Sequence, residues 1–300
     1  MTEFNPVYVR VPATTANLGP GFDCLGLALD IWNEVRFTPV DKGYTVEIEG
    51  EGTGKLAADR SNLIFQAAEK LFELEGVAFP QGLSLRCQNA IPISSGLGSS
   101  ASAIVAGLLG AKRMLNSAIS KSDLLALAAD FEGHADNAAA CLLGGLVVTL
   151  RTESSWIAEK VPMQFLHAVI VLPNISLSTH QARAALPASI SHACAVANIS
   201  RTALLVNALR DGRRDLFRTA MQDCLHQPYR LNLMPGAAEA LQAAYDAGAF
   251  GAALSGAGPS LIAFADEYLD EIGQAMQSAY STQGIDSRIF SSYSTNLGAA

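Results

Sequence analysis

The segment that most constrains this chain is Pro92-Ile93-Ser94-Ser95-Gly96-Leu97-Gly98-Ser99-Ser100-Ala101-Ser102, which runs directly into an apolar, Ala-rich stretch from Ala103 to Leu115. Two glycines among small hydroxyl residues, placed ahead of a helix, leave backbone N–H groups unobstructed where phosphate oxygens are favoured. The segment reads as a phosphate cradle. A Walker A loop is excluded, because it needs a lysine beside its hydroxyl residue and no lysine lies between Lys70 and Lys112. Gly96 to Ala101 does match the loose dinucleotide pattern. That fold requires a buried parallel strand before the glycines and an acidic-tipped strand after the helix. Here Leu83 to Gln88 alternates like a one-sided strand, and the segment after Asn116 is helical again. A plain Gly-Ser turn opening a core helix is the remaining alternative.

Composition narrows the partners. The chain has 300 residues, 50% of them hydrophobic and 16% charged, which describes a compact protein with a sizeable core. A net charge of -8 without any Lys/Arg cluster argues against nucleic acid or an anionic membrane as partner. An anionic ligand must then be held by backbone amides, a metal ion and isolated arginines. The five cysteines are odd in number and far apart, so reduced thiols are expected rather than a disulfide framework or zinc site. The N-terminus has no charged-then-apolar leader and Ala138 to Leu150 is too short to span a bilayer, so a cytoplasmic location is expected.

Along the chain, Val7 to Val11 alternates as a strand that Pro12 is expected to end. Ala13 to Gly26 then reads as a long, glycine-containing loop of the functional kind. Its polar residues Asn17 and Asp23 face a ligand or bond local turn amides. Leu27 to Phe37 and Tyr44 to Ile48 read as a strand meander, and an amphipathic helix opens at Leu63, with Ser61 or Asn62 as its cap or Asn62 turned to a ligand. A second helix, Ser122 to Glu132, ends on a carboxylate that opposes the helix dipole unless it has a partner. A bound Mg²⁺ would be such a partner, and a solvated surface glutamate is the alternative. His134-Ala135-Asp136-Asn137 opens the next helix, Ala138 to Leu143, and Asp136 or Asn137 caps it, does chemistry, or both. The texture turns polar and irregular after Leu150, which places a domain boundary at 155/156. A split α/β pattern follows, with the loop Ser255-Gly256-Ala257-Gly258-Pro259-Ser260 between two of its strands.

Taken together, Pro12 to Leu29, Pro92 to Ser102, Glu132 to Asn137, Thr179 with Arg183, Pro228-Tyr229-Arg230 and Ser255 to Ser260 resemble, in order and over nearly the whole chain, the GHMP small-molecule kinases. Within them the chain is similar to the branch that acts on L-homoserine. The resemblance implies an α/β (α+β) fold of two domains, 1–155 similar to the ribosomal S5 type and 156–300 ferredoxin-like, with ATP and substrate between them. It implies transfer of the ATP γ-phosphoryl group to the homoserine side-chain hydroxyl, and a homodimer. Carried over residue by residue, it puts ATP phosphates on Pro92, Ile93, Ser94, Ser95, Gly96, Leu97, Gly98, Ser99, Ser100, Ala101 and Ser102. Asn62 and Asn89 would sit near the base or ribose, and Mg²⁺ would sit on Ser100 and Glu132. Asn17, Asp23, His134, Asp136, Thr179, Arg183, Arg230 and Gly256 would line the substrate pocket. A zwitterion wants an Arg fork for its carboxylate and an Asp for its ammonium, and both are present. Asp136 is the candidate base, Asn137 an orienting amide, and Arg183 serves the substrate carboxylate or the migrating phosphoryl charge. The alternatives are the same fold acting on a mevalonate-type or other alcohol, or a non-catalytic sensor of ATP or an amino acid.

Overall fold

The computed structural model describes residues 4–300. In chain order the first half runs β1 (Val7–Asn17), β2 (Gly21–Pro39), β3 (Gly43–Gly50), α1 (Leu63–Leu74), β4 (Gly82–Asn89), α2 (Ser99–Leu115), α3 (Lys121–Glu132), α4 (Asp136–Leu143), β5 (Leu146–Arg151) and β6 (Trp156–Val161). The second half runs β7 (His167–Pro173), α5 (Thr179–Ala184), α6 (His192–Asp211), α7 (Arg214–Ala220), α8 (Gln227–Leu231), α9 (Ala237–Asp246), β8 (Gly251–Leu254), β9 (Leu261–Phe264), α10 (Leu269–Ser281) and β10 (Ser287–Tyr293). Each half holds one sheet.

The first sheet has the order β3-β4-β2-β5-β6, with β1 paired along β2. Its helices bury their apolar stripes on it: Phe65, Leu71 and Phe72 of α1, Ile104 and Leu108 of α2, and Leu124 of α3 share one core with Val9, Phe37 and Leu85. The second sheet has the order β10-β7-β9-β8, all antiparallel, the arrangement expected of a ferredoxin-like split pattern. Its two four-residue strands, β8 and β9, are apolar and buried at every position, as strands covered on both faces must be. A separate core cluster joins the sheets, with Leu18, Leu25 and Leu97 from the first half packed with Ile170, Phe217 and Phe264 from the second.

Three expectations change. Pro12 does not end its strand: β1 continues to Asn17, absorbing the proline at a register shift between Pro12 and Ala13, so most of the expected loop is a buried hairpin. Tyr44 to Ile48 is not part of a meander, because β3 pairs in parallel with β4, which in turn pairs with β2. The change of sheet falls between Val161 and His167, since β6 pairs with β5 over Leu146–Arg151. In addition, the C-terminal residues cross back onto the first sheet, where Thr295 N–H donates to Ala28, Ala299 N–H to Cys141, and Arg10 and Ala300 exchange two backbone bonds.

Candidate active site

A cavity of about 550 Å³ lies between the two halves, walled by α2's N-terminal turn, the end of α3, the start of α4, the β1–β2 hairpin, α5 and the 255–260 loop. Each wall has a local reason for its shape. Gly98 caps α2 in the left-handed conformation (φ 71°) and no side chain caps the helix, so its first-turn amides stay available to an anion. A Cβ on Gly98 would run into Thr14 Oγ1, so the position needs glycine for space as well as for φ. Ser255 Oγ donates to the Gly96 carbonyl (2.8 Å) and Ser260 N–H to the Ser95 carbonyl (3.1 Å), which clamps the cradle against the second half. Ser94 to Gly96, Gly98 to Ser100 and Ser102 face the cavity, as does Ile93. Leu97 and Ala101 point into the cores instead, and Pro92 lines a neighbouring cleft. These three can act only through their backbone or by packing.

Glu132 ends α3, and Gly133 after it adopts φ 78°, which turns the chain at once into α4. Its Oε2 is buried without a hydrogen-bond partner. Burial raises the carboxyl above its ordinary range, opposed by His134 and by a hydrogen bond from Ser100. A buried carboxylate oxygen with nothing to accept is costly in isolation, and a hard cation would satisfy it. Among the described residues no cluster of three or more His, Cys, Asp or Glu could hold a metal alone. The set present, one carboxylate and a serine hydroxyl beside a phosphate cradle, suits Mg²⁺ completed by phosphate oxygens and water.

Asp136 and Asn137 do not cap α4 by accepting from it across a turn; the cap residue is Ala135, and no side chain bonds the cap. Asp136 is buried, and its Oδ1 accepts from the Asn137 amide at 2.7 Å and Asn137 Nδ2 at 3.2 Å and lies 2.8 Å from His134 Nδ1. Thr14 Oγ1 donates to Asn137 Oδ1 at 2.8 Å, so the amide is held from two sides. Burial works against charge on His134, yet the hydrogen bond to Asp136 and the carboxylates of Asp136, Glu132 and Asp23 raise it above its ordinary value. Gly26 of β2 lets this turn approach the sheet, since a Cβ there would strike the Asp136 carbonyl.

At the other end of the cavity Asp23 and Arg183 form a two-pronged pair, both N–H···O distances 2.8 Å, with each side chain about one third exposed (34% and 38%). Two of the candidate pocket residues, an acid and an arginine, thus hold each other. Arg230 is nearly fully buried (2%), and no carboxylate among the described residues is hydrogen-bonded to it; burial and the neighbouring Arg183 push it down to about 10. Its Nη1 donates to the Gly256 carbonyl (3.2 Å), which also accepts from Asn17 Nδ2 (2.8 Å), while Asn17 Oδ1 accepts from the Asp23 amide. Asn17 therefore bonds turn groups and lines the cavity at once. Asn62 likewise caps α1 through the Ile64 amide and donates to Ala57. Asn89 donates to Glu51, and Thr179 is exposed at the start of α5; all three line the cavity.

Several functional residues escape sequence reasoning. Thr14 sits in what read as a loop. Asn33, whose Oδ1 accepts from the Ala90 and Ile91 amides and so fixes the approach to the cradle, is an unremarked polar residue in a strand. Asp223 and His226 belong to a break between helices whose only sequence signal is Gln227-Pro228. The cysteine expectation fails too: Cys194 and Cys224 are disulfide-bonded, 6.0 Å apart at Cα, and tie α6 to that break. Distance along the chain, 30 residues, hid the pairing.

Known proteins resemble this chain over both of its halves. The model of the GHMP kinases N terminal domain matches residues 62–145 and that of the GHMP kinases C terminal domain residues 205–282. The chain is 42% identical to a homoserine kinase of Desulfitobacterium hafniense over 98% of its own length and 99% of the relative's. It is 40% identical to a homoserine kinase of Carboxydothermus hydrogenoformans over 98% and 96% of the two chains. Among solved structures, a homoserine kinase from Cytophaga hutchinsonii superposes with a TM-score of 0.87 at 33% identity, covering 100% and 98%. A mevalonate kinase of L. major, at 17% identity and TM-score 0.69, shares the fold.

Proposed function

The chain belongs to the GHMP kinases and, within them, to the homoserine kinases, and from that premise we propose how its residues divide the reaction. The enzyme transfers the γ-phosphoryl group of ATP to the side-chain hydroxyl of L-homoserine, giving O-phospho-L-homoserine, a step of threonine biosynthesis. One observation carries the assignment of roles: an uncapped helix N-terminus, an orphaned carboxylate oxygen, and an Asp–Arg pair beside a second, buried arginine converge on one cavity.

ATP phosphates lie on the amides at the start of α2 and on the hydroxyls of Ser99 and Ser100, with Asn62 and Asn89 on the base or ribose side. Ser100 and Glu132 would hold Mg²⁺, which would neutralise phosphate charge when bound. Homoserine enters at the Asp23–Arg183 pair and replaces it: the ammonium goes to Asp23 and the carboxylate to Arg183 and the buried Arg230. The exchange replaces one ion pair by two of the same kind, which offsets the desolvation of the substrate's two charges. Its hydroxyl then faces Asp136, whose Oδ1 is taken up by His134 and Asn137, leaving Oδ2 to accept from it. In phosphoryl transfer most of the rate comes from positioning and charge neutralisation, so the orientation of this carboxylate counts for more than early proton removal. His134, Thr179, Gly256 and Asn17 shape the same pocket, and Asn137, held by Thr14, steadies Asp136.

Two coarser readings complete the proposal. A cytoplasmic reaction is the reading that ATP as co-substrate supports; no helix among the described residues is long and apolar enough to cross a membrane. A homodimer is supported by Leu150 and Ile157, a cross-strand pair beside the sheet's free edge, exposed at 61% and 47%.

A coupled ADP-release assay with Mg·ATP and L-homoserine, L-serine, L-threonine, mevalonate, galactose or 3-aminopropan-1-ol, which is homoserine without its carboxylate, tests the pocket. Turnover selective for homoserine, with the amino alcohol at least tenfold poorer in kcat/KM, is expected. Equal use of the amino alcohol would remove Arg183 and Arg230 from carboxylate recognition.

A further inference from the structure

The break between α7 and α8 holds a buried polar set that the reaction scheme leaves unused. The Asp223 side chain is fully buried and accepts from the amides of Leu225 (2.8 Å), His226 (2.9 Å) and Gln227 (2.7 Å), which fixes the turn entering α8. His226, also fully buried, stacks on Phe22 with ring centroids 5.1 Å apart. Its Nε2 lies 2.7 Å from the Gly19 carbonyl and 3.5 Å from Asp223 Oδ2. Its Nδ1 lies 3.4 Å from Arg230 Nη1.

These neighbours decide the tautomer. A carbonyl and a carboxylate only accept, so Nε2 carries the proton. A guanidinium only donates, so Nδ1 presents its lone pair to Arg230. The neutral ring thereby links the hairpin turn at Gly19 to the guanidinium. Around it the turn is pinned further: Asn198 Nδ2 donates to Pro20, Asn198 Oδ1 accepts from the Cys224 amide, and the Cys194–Cys224 bridge closes the same break. Arg230 itself has only long bonds to protein, 3.2 Å to Gly256, 3.3 Å to the Ala182 carbonyl and 3.4 Å to His226, so a single acceptor has leverage over its orientation.

We propose that His226 is a positioning residue that acts through Arg230, holding the guanidinium so that a site selects acceptor alcohols bearing a carboxylate. The inference rests on the reading that Arg230 receives the homoserine carboxylate. His226→Gln keeps a donor near Gly19 but removes the acceptor at Nδ1, whereas His226→Asn places its Oδ1 where Nδ1 was. His226→Gln is expected to raise KM for homoserine about tenfold with kcat within about twofold, and to leave kcat/KM for 3-aminopropan-1-ol unchanged; His226→Asn should recover most of the homoserine KM. Equal losses on both acceptors, or no loss on either, would overturn the proposal. The Arg230→Ala variant separates the two layers. If it leaves homoserine KM unchanged, the carboxylate reading fails; if it raises KM and His226→Gln adds its full effect on top of it, only the His226 inference fails. The wild-type enzyme gives an independent readout should the variants not fold. Long-range ¹H–¹⁵N spectra of ¹⁵N-histidine protein at pH 7 should show His226 as the Nε2–H tautomer, with its Nδ1 resonance shifting when homoserine binds. An Nδ1–H tautomer, or an unmoved Nδ1 resonance, would overturn it.

Discussion

Glu132 sets the cost of a buried carboxylate in the fold against the metal-binding role proposed for it. Its Oε2 is shut away from water with no donor, an arrangement that destabilises the ligand-free protein. Glu132→Gln should therefore lower Mg·ATP-dependent turnover on the order of 100-fold and abolish the Mg²⁺ dependence of nucleotide binding in calorimetry. The same variant should unfold at a slightly higher temperature, by about 1 kcal/mol of added stability. His134 and His226 respond to acid in opposite senses. His226 is held below its ordinary value first by burial and then by Arg230, against the pull of Asp223, Asp23 and the Gly19 carbonyl. Between the two values the unfolded chain binds more protons, so His226 withdraws stability as the pH falls below about 6.5. His134 is raised, so its contribution is full below that pH and is lost on going above its folded value. Urea midpoints from pH 7.5 to 5.5 should accordingly fall less steeply with acid in His226→Asn than in the wild type; parallel curves would mean that the ring does not titrate in this way.

At the scale of the element, the cradle depends on α2 beginning at a residue that has no side chain. Gly98 combines φ 71° with a position where a Cβ would strike Thr14 Oγ1, the group that steadies Asn137. Gly98→Ala should cost about 1–3 kcal/mol of stability and, by turning the first-turn amides, raise KM for ATP far more than KM for homoserine in initial-rate assays. The elements themselves were largely legible. The alternation of Leu83 to Gln88, the apolar spacing from Leu63 to Leu74 and the stretch ending at Glu132 all became the elements their periods imply. What misled was local chemistry overruled by pairing. Pro12 ends strands unless a bulge absorbs it, and the glycines after it signal loops unless two strands bury them against helices.

At the scale of the molecule, the two halves are bound by more than the linker between them. The last residues return to the first sheet through five backbone hydrogen bonds, involving Thr295 twice, Ala299 once and Ala300 twice. Deleting residues 295–300 should then destabilise the first half by about 2–5 kcal/mol and lower the thermal midpoint, although no residue of the tail lines the cavity. An unchanged midpoint by calorimetry would mean that the tail is ornamental. The Arg288–Glu51 bridge between the halves is exposed on the arginine side and contributes little by comparison.

The sequence by itself determined what is written in short stretches: a glycine turn feeding a helix, because helix termini and glycines act locally; many of the strands and helices, because their periods are local; and the inventory of charges. Only the tertiary structure decided which groups meet. Asp23 and Arg183 stand 160 positions apart in the chain yet share two hydrogen bonds. Glu132 Oε2 is orphaned by what surrounds it, and His226 faces Gly19 across 207 positions. Partnership, burial and tautomer depend on neighbours that a linear pattern does not name, and these are the properties that turn a list of polar residues into a site.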